Sequence, residues 1–233
     1  MTSLQRVENP QYWHRFNTER RIIAQQVTAY LKAKYCTPQD LKLGLKEEWQ
    51  TELSSLGGPG LMKEANEVYL FHGSEKWLDI SQTGFEVKYA GSNKGSAYGR
   101  GIYFAESPSK VSWYLPRHAQ GNRAYSLPSQ ADQYNRGSGP THRLVLTRVV
   151  LGVPHVTKEA MNVILPPHVK GGGPNRSVHC LVNVFILRPG LTMVLLIRHH
   201  SIVAQPGGGR FREFVVFDNN KTYPEFIIEY QRV

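Results

Sequence analysis

The sequence predicts an α+β fold, and three observations carry that expectation. Asn9-Pro10 opens a long amphipathic helical pattern. From Glu67 onward the chain breaks into short β-branched and aromatic runs separated by turns bearing Gly and Pro. The remaining helical stretches are short.

Taken in order, Asn9 serves as an N-cap and Pro10 as the first helical residue. Trp13, Phe16, Ile23, Val27 and Tyr30 then recur at helical spacing, leaving Arg15, Glu19, Arg20 and Lys32 for water, so this helix should pack on a sheet. A second short helix covers Lys46 to Leu56 and ends at Gly57-Gly58-Pro59-Gly60. Glu67 to Phe71 is a buried-strand pattern that delivers His72-Gly73-Ser74. Trp77 to Thr83 reads as helix, and Gly84 to Ala97 as loop. Gly101 to Ala105 is a strand followed by a helix from Ser107, its cap, towards Tyr114, with Pro108 in the first turn.

Leu115 to His142 has no periodicity and is net positive through Arg117, Arg123 and Arg136, with Asp132 its only acid. Segments of this length are either functional or disordered. Arg143 to Leu151 is a strand, and Lys170 to Gly173 a flexible break. Leu181 to Ile197 is apolar apart from Asn183, Arg188 and Thr192. Arg188-Pro189-Gly190 at its middle argues against a spanning helix and for a hairpin. Glu213 to Phe217 is a strand whose leading carboxylate emerges where the strand enters the core. Asp218-Asn219-Asn220 turns the chain, and Phe226 to Tyr230 is expected to return as its partner strand.

A chain of 233 residues suffices for one large or two small domains. With 40% hydrophobic and 20% charged residues, disorder throughout is excluded. The net charge of +10 favours polyanionic ligands: phosphorylated nucleotides, nucleic acid or acidic protein tails. Cys36 and Cys180 are the only cysteines, and no C-x-x-C or Cys/His cluster occurs, which argues against a disulfide framework or structural zinc. The opening M-T-S-L-Q-R-V-E-N-P lacks the apolar stretch of a signal peptide. The expectation is an intracellular protein, in cytoplasm or nucleus, with no membrane partner.

The candidate chemistry centres on Y-G-R-G-I-Y-F-A-E-S-P-S-K-V-S-W-Y, Tyr98 to Tyr114. A strand running straight into a helix, with an aromatic from each, can build a flat slot walled by Tyr103 and Tyr114. Ring faces about 7 Å apart hold a planar group between them. Gly99 and Gly101 suggest that a ligand approaches the backbone there. The same pattern also describes an ordinary core strand with a buried tyrosine. His72-Gly73 places an imidazole at a strand end, and Glu213 a carboxylate at a strand entry.

Together E-V-Y-L-F-H-G-S, the Tyr98–Tyr114 stretch, and R-E-F-V-V-F-D with Y-P-E-F-I-I-E-Y-Q resemble, in order and spacing, the catalytic domain of the poly(ADP-ribose) polymerase family, the diphtheria-toxin-like ADP-ribosyltransferases. V-E-N-P-Q-Y-W-H-R-F is similar to the start of that domain in mono-ADP-ribosylating members, and H-S-I-V-A-Q-P to the end resembles tankyrases. The resemblance implies an ADP-ribosyltransferase fold of two packed antiparallel or mixed sheets flanked by helices, in a single domain over 1–233. Within it, 1–60 would be a helical cover and 61–233 the core, with insertions near 115–142 and 168–197.

It further implies a catalytic triad of His72, Tyr103 and Glu213, and an NAD+ site made by His72, Gly73, Ser74, Tyr103, Ala105, Ser112 and Tyr114. NAD+ is then the substrate. Tankyrase zinc cysteines are absent, so no metal is implied. Most members carry a serine at the position of Val111, so either the register slips to Ser112 or that hydrogen bond to nicotinamide is missing. The implied activity is transfer of ADP-ribose to proteins, the chain itself included, as single units or polymer, with similarity leaning to single units. The alternatives are an NAD- or ADP-ribose-binding module, or transfer to nucleic-acid ends.

Overall fold

The computed structural model describes residues 2–45, 47–56, 58–90, 96–111, 141–169, 181–188, 191–207 and 211–231. The elements run β1 (Ser3–Arg6), α1 (Pro10–Lys32), α2 (Glu47–Ser54), β2 (Glu67–His72), α3 (Trp77–Thr83), β3 (Ile102–Phe104), α4 (Pro108–Val111), β4 (Thr141–Val150), β5 (Pro154–Thr157), β6 (Leu181–Arg188), β7 (Leu191–Leu196), β8 (Ser201–Ala204), β9 (Glu213–Val216) and β10 (Thr222–Gln231).

Two four-stranded sheets form the body. The first has the order β1-β10-β4-β2, all antiparallel, and the second β3-β9-β8-β5, mixed because β5 and β8 are parallel. Alternation fixes which face each residue serves. Val68 and Leu70 of β2, Val145 and Val149 of β4, and Ile227 of β10 join Ile102, Phe104, Val203, Phe214 and Val216 of the second sheet in one buried cluster. The sheets therefore pack face to face. Another cluster carries Tyr69, Phe71, Leu144, Leu146 and Phe226 together with Ala105 and Val111. The apolar run Leu181 to Ile197 forms the expected hairpin, β6 with β7, as a separate two-stranded sheet. No helix among the described residues is long and apolar enough to cross a membrane.

α1 starts as its sequence dictates: Tyr12 N donates to Asn9 Oδ1 at 3.0 Å, with Pro10 at the first position. Phe16, Ile23 and Val27 are buried beneath it against Val150, Val153 and Tyr223. Each such side chain contributes roughly 1.5–3 kcal/mol. Arg20 departs from the expectation that it faces water. It is buried, and its guanidinium reaches Asn17 Oδ1 at 2.8 Å and Glu67 Oε2 at 3.2 Å.

The reason is a charged network laid across the first sheet. Arg148 of β4 is wholly buried, donating from Nη1 to Glu67 Oε1 at 2.8 Å and from Nε to Glu225 Oε2 at 2.6 Å, and also to the Pro59 carbonyl. Tyr69 donates its hydroxyl to Glu225 at 2.5 Å. Burial opposes the Arg148 charge, but Glu67 and Glu225 more than offset it and hold the guanidinium above its ordinary pKa. One arginine between two carboxylates needs a second cation nearby, and Arg20 supplies it to Glu67.

Two other expectations are corrected. β10 does not pair with the strand beginning at Glu213: β9 lies between β3 and β8, and β10 between β1 and β4. The turn Asn219–Lys221, capped by Asp218 Oδ1 accepting from Asn220 N at 2.9 Å, carries the chain from one sheet to the other instead of folding it back as a hairpin. β4 also begins at Thr141, inside the segment read as an insertion ending at His142. That histidine is buried, its ring 5.5 Å from Tyr230. The rest of the insertion, and Lys170 to Gly173, lie outside the described residues.

His200 anchors β5 and β8 to α1. Val153 N donates to its Nδ1 at 2.9 Å, so its proton sits on Nε2, which lies 2.9 Å from Gln26 Oε1. Burial pushes its pKa down to about 3, with Lys221 and His199 adding to the shift. Its ordinary value is near 6.5, so the unfolded chain takes up a proton that the folded chain refuses. Stability from this residue is complete above about pH 6.5 and is lost as pH falls from there towards 3. Thermal unfolding followed from pH 7 to pH 4 should show a steep fall in Tm, and His200→Asn, whose side-chain oxygen can still accept from Val153 N, should flatten it. A slope unchanged by the substitution would assign the acid sensitivity elsewhere.

Candidate active site

An isolated backbone bridge joins the two sheets. Phe71 and Ala105 exchange both backbone hydrogen bonds, Phe71 N to Ala105 O at 2.8 Å and Ala105 N to Phe71 O at 3.0 Å. This bridge ties the end of β2 to the end of β3. His72 is the last residue of β2, still opposite Val145, rather than the first residue beyond the strand.

The His72 Nδ1 lies 2.8 Å from the Tyr103 carbonyl. A carbonyl only accepts, so Nδ1 carries the proton and Nε2 presents a lone pair, the arrangement that receives a hydroxyl proton. The ring packs edge-on to Phe85 at 5.0 Å and against Phe104 at 5.6 Å. Burial pushes its pKa down, and the Tyr103 hydrogen bond only partly opposes that, so the imidazole is neutral. Gly73 is required by close approach: a Cβ there would stand 2.6 Å from Val111 Cγ1 and 2.8 Å from Val111 O. α4 thus rests on the backbone at the exit of β2.

Ile102 and Phe104 point into the core, so Tyr103 stands on the other face of the second sheet, packed with Tyr98, Ile202, Val215 and Val163. Its hydroxyl donates to Gly99 O at 2.8 Å and accepts from Tyr98 N at 2.8 Å, which fixes the ring in its own loop. The glycines of this stretch do not open the backbone to a ligand as the sequence suggested. A Cβ on Gly101 would stand 2.5 Å from Val215 Cγ1, and one on Gly99 2.7 Å from Val163 O, so the protein itself fills both places.

Glu213 opens β9 opposite Ala204. Its Oε1 is 2.9 Å from Lys110 Nζ, with both side chains largely shielded. The motifs do not point to Lys110, which the structure sets against Glu213. The available signal was that it is the only base between Ala105 and Val111. Ser74 has a local role, its Oγ accepting from Lys76 N at 3.1 Å. Ser112 and Tyr114, and with them the second wall of the slot, lie outside the described residues. Val111 is buried in the apolar cluster with Phe71, Ala105 and Leu144. That environment suits a methyl group and offers a hydroxyl little.

Of the sequence-derived site, the structure therefore brings His72, Gly73, Tyr103, Ala105 and Glu213 to the junction of the sheets. A cavity of about 320 Å³ lined by Glu19, Gln26, Tyr30, Arg198 and Lys221 includes none of them. Convergent chemistry, rather than volume, locates the candidate site.

The model of the poly(ADP-ribose) polymerase catalytic domain matches residues 2–232. Similar proteins include "Protein mono-ADP-ribosyltransferase PARP12" of Mus musculus, 26% identical over 190 residues, covering 81% of this chain and 20% of that protein. The Homo sapiens protein of the same name is 25% identical over 225 residues, covering 96% and 24%. The chain thus spans a fifth to a quarter of the length of these relatives. A family match from residue 2 to residue 232 takes in both sheets, the helices and the junction between them, and the chain belongs to the poly(ADP-ribose) polymerase catalytic domain family.

Proposed function

We propose that this chain is an NAD+-dependent ADP-ribosyltransferase that moves ADP-ribose from NAD+ to protein acceptors, in single units, with release of nicotinamide. The observation that carries this reading is the junction: the Phe71–Ala105 bridge and the His72–Tyr103 hydrogen bond set the ends of β2 and β3 beside the Glu213–Lys110 pair.

The chemistry suits those groups. The bond between C1′ of the ribose and the nicotinamide nitrogen breaks, its electron pair leaves with nicotinamide, and positive charge develops on the sugar. An acceptor oxygen or nitrogen then bonds C1′ and releases its proton. Glu213 stabilises the developing charge more than it stabilises bound NAD+, which is what lowers the barrier. Lys110 holds the carboxylate in place. His72 Nε2 receives a ribose hydroxyl, Gly73 offers its backbone to the nicotinamide amide, and Tyr103 stacks on the ring, opposite Tyr114. Transfer in single units is supported by the names of the two relatives.

Incubation with NAD+ labelled in the adenylate part tests the proposal: one shifted band on a gel and free nicotinamide are expected. A ladder of bands would mean polymer. NAD+ binding without nicotinamide release would leave a binding module instead, and label on phosphorylated nucleic-acid ends but not on protein would move the acceptor.

Val111 makes a further expectation. Val111→Ser supplies the hydroxyl that this position lacks and should tighten nicotinamide inhibition by a few-fold, the worth of one hydrogen bond of about 0.5–1.5 kcal/mol. It should also lower Tm, because it puts a hydroxyl into an apolar cluster. Tighter inhibition in a less stable protein is the result to look for. Unchanged inhibition would place nicotinamide away from Val111.

A further inference from the structure

We propose that Glu106 and Arg212 are positioning residues for the transfer, a neutral clasp that fixes the entry of β9 and cancels a cation next to Glu213. The proposal rests on Glu213 being the residue that bears on the developing sugar cation.

The backbone shows where such a clasp acts. β3 and β9 pair from Ile102↔Val216 to Phe104↔Phe214. The residue after β3, Ala105, is bridged to Phe71 of the other sheet. The β3–β9 ladder thus ends at Phe214, one residue from Glu213, which pairs with Ala204 of β8.

One residue further out the two chains are rejoined by side chains. Arg212 Nε lies 2.8 Å from Glu106 Oε1 and Nη2 lies 2.5 Å from Oε2, a two-pronged pair of the strongest geometry available to a carboxylate. The same guanidinium donates to the Leu43 carbonyl and, at 3.4 Å, to Gly44 O, and lies 5.6 Å above the Phe214 ring. Every edge of the guanidinium is held, so the clasp has one geometry.

Charge gives it a second purpose. Lys110 already balances Glu213, at 2.9 Å. Arg212 adds a cation at the neighbouring residue, and a cation is unfavourable where the transition state itself turns positive. Glu106 neutralises it. Removing Glu106 leaves Arg212 unbalanced, whereas removing both charges restores the balance. A merely structural clasp predicts the opposite order, with the double variant no better than the single.

The test is nicotinamide release by the whole chain for Glu106→Gln, which keeps shape and loses charge, and for Glu106→Gln with Arg212→Gln. The single substitution should lower kcat by about 10–100-fold with KM for NAD+ within about twofold, and the double should regain at least about fivefold of that loss. A double variant as slow as the single, a KM that rises in step with the loss of kcat, or a single variant as fast as the parent would each overturn the proposal. Arg212→Lys covers the case in which Glu106→Gln does not fold: it keeps the charge balance but loses the two-pronged contact, so kcat should fall by about two- to fivefold, a kcat equal to the parent's overturns the positioning role, and a loss above about tenfold overturns the charge role. Glu213→Gln assayed alongside separates the two levels. Full activity there removes the reading of Glu213 itself, whereas a slow Glu213→Gln beside a fast Glu106→Gln removes only the clasp.

Discussion

Glu213→Gln should lower the rate of nicotinamide release by about 10²–10³-fold while leaving NAD+ affinity within a few-fold of the parent. The substitution is close to isosteric, and the glutamine carbonyl oxygen can still accept from Lys110 Nζ, which now lies 2.9 Å from the carboxylate. β9 and its pairing with β8 should therefore survive, and the loss should report charge alone. A negative group matters little while NAD+ is bound intact and matters most when the sugar is cationic, so the effect belongs to kcat. Steady-state kinetics of nicotinamide release, with NAD+ binding measured separately, decides the point. Equal losses in rate and affinity would make Glu213 a substrate-binding residue only.

Arg148→Met should cost about 3–5 kcal/mol of stability, because it strands the Glu67 and Glu225 carboxylates in the interior. Arg20 and Arg6 still face those acids, at 3.2 Å and 3.5 Å, but Arg6 is half exposed and neither replaces the central guanidinium. For a domain of this size each kcal/mol shifts Tm by about 2–4 °C, so a fall of roughly 6–20 °C is expected. Adding Glu67→Gln and Glu225→Gln to Arg148→Met should recover a large part of the loss, since removing a whole buried network is far less costly than removing one member. A single variant that unfolds at the parental temperature would show that water reaches these carboxylates.

The parts of the fold governed by local chemistry were legible in the sequence. The Asn9 cap, the Trp77–Thr83 helix, the β6–β7 hairpin and the strand leading into His72 each follow from periodicity or turn residues within a few positions. What escaped was decided at long range. β1 and β5 are each four residues long, and their strand partners lie far along the chain. Arg20 reads as a solvent-facing helical residue until Glu67 is placed beneath it. β10 starts at Thr222, four residues before the predicted start at Phe226, and the sheet absorbs Pro224 as a register shift between Pro224 and Phe226. At the site, motif resemblance located His72, Tyr103 and Glu213. It could not supply Lys110, which is recognised through its contact with Glu213, or show that Gly101 is reserved for β9 rather than for a ligand.

The position of β10 has a consequence for how the protein is made. Of the described strands it is the last to be synthesised, yet it lies inside its sheet, hydrogen-bonded to β4 on one side and on the other to β1, where Ser3 meets Glu229. On the ribosome β1 has no strand partner until residues 222–231 have emerged, and β4 can meet only β2. The acid Glu225, one of the two that balance Arg148, arrives with the same strand. Closing a loop of that length is slow. The nascent domain should therefore expose a sheet edge and an under-neutralised Arg148 for most of its synthesis, which makes release of β10 from the exit tunnel the event that commits it to fold.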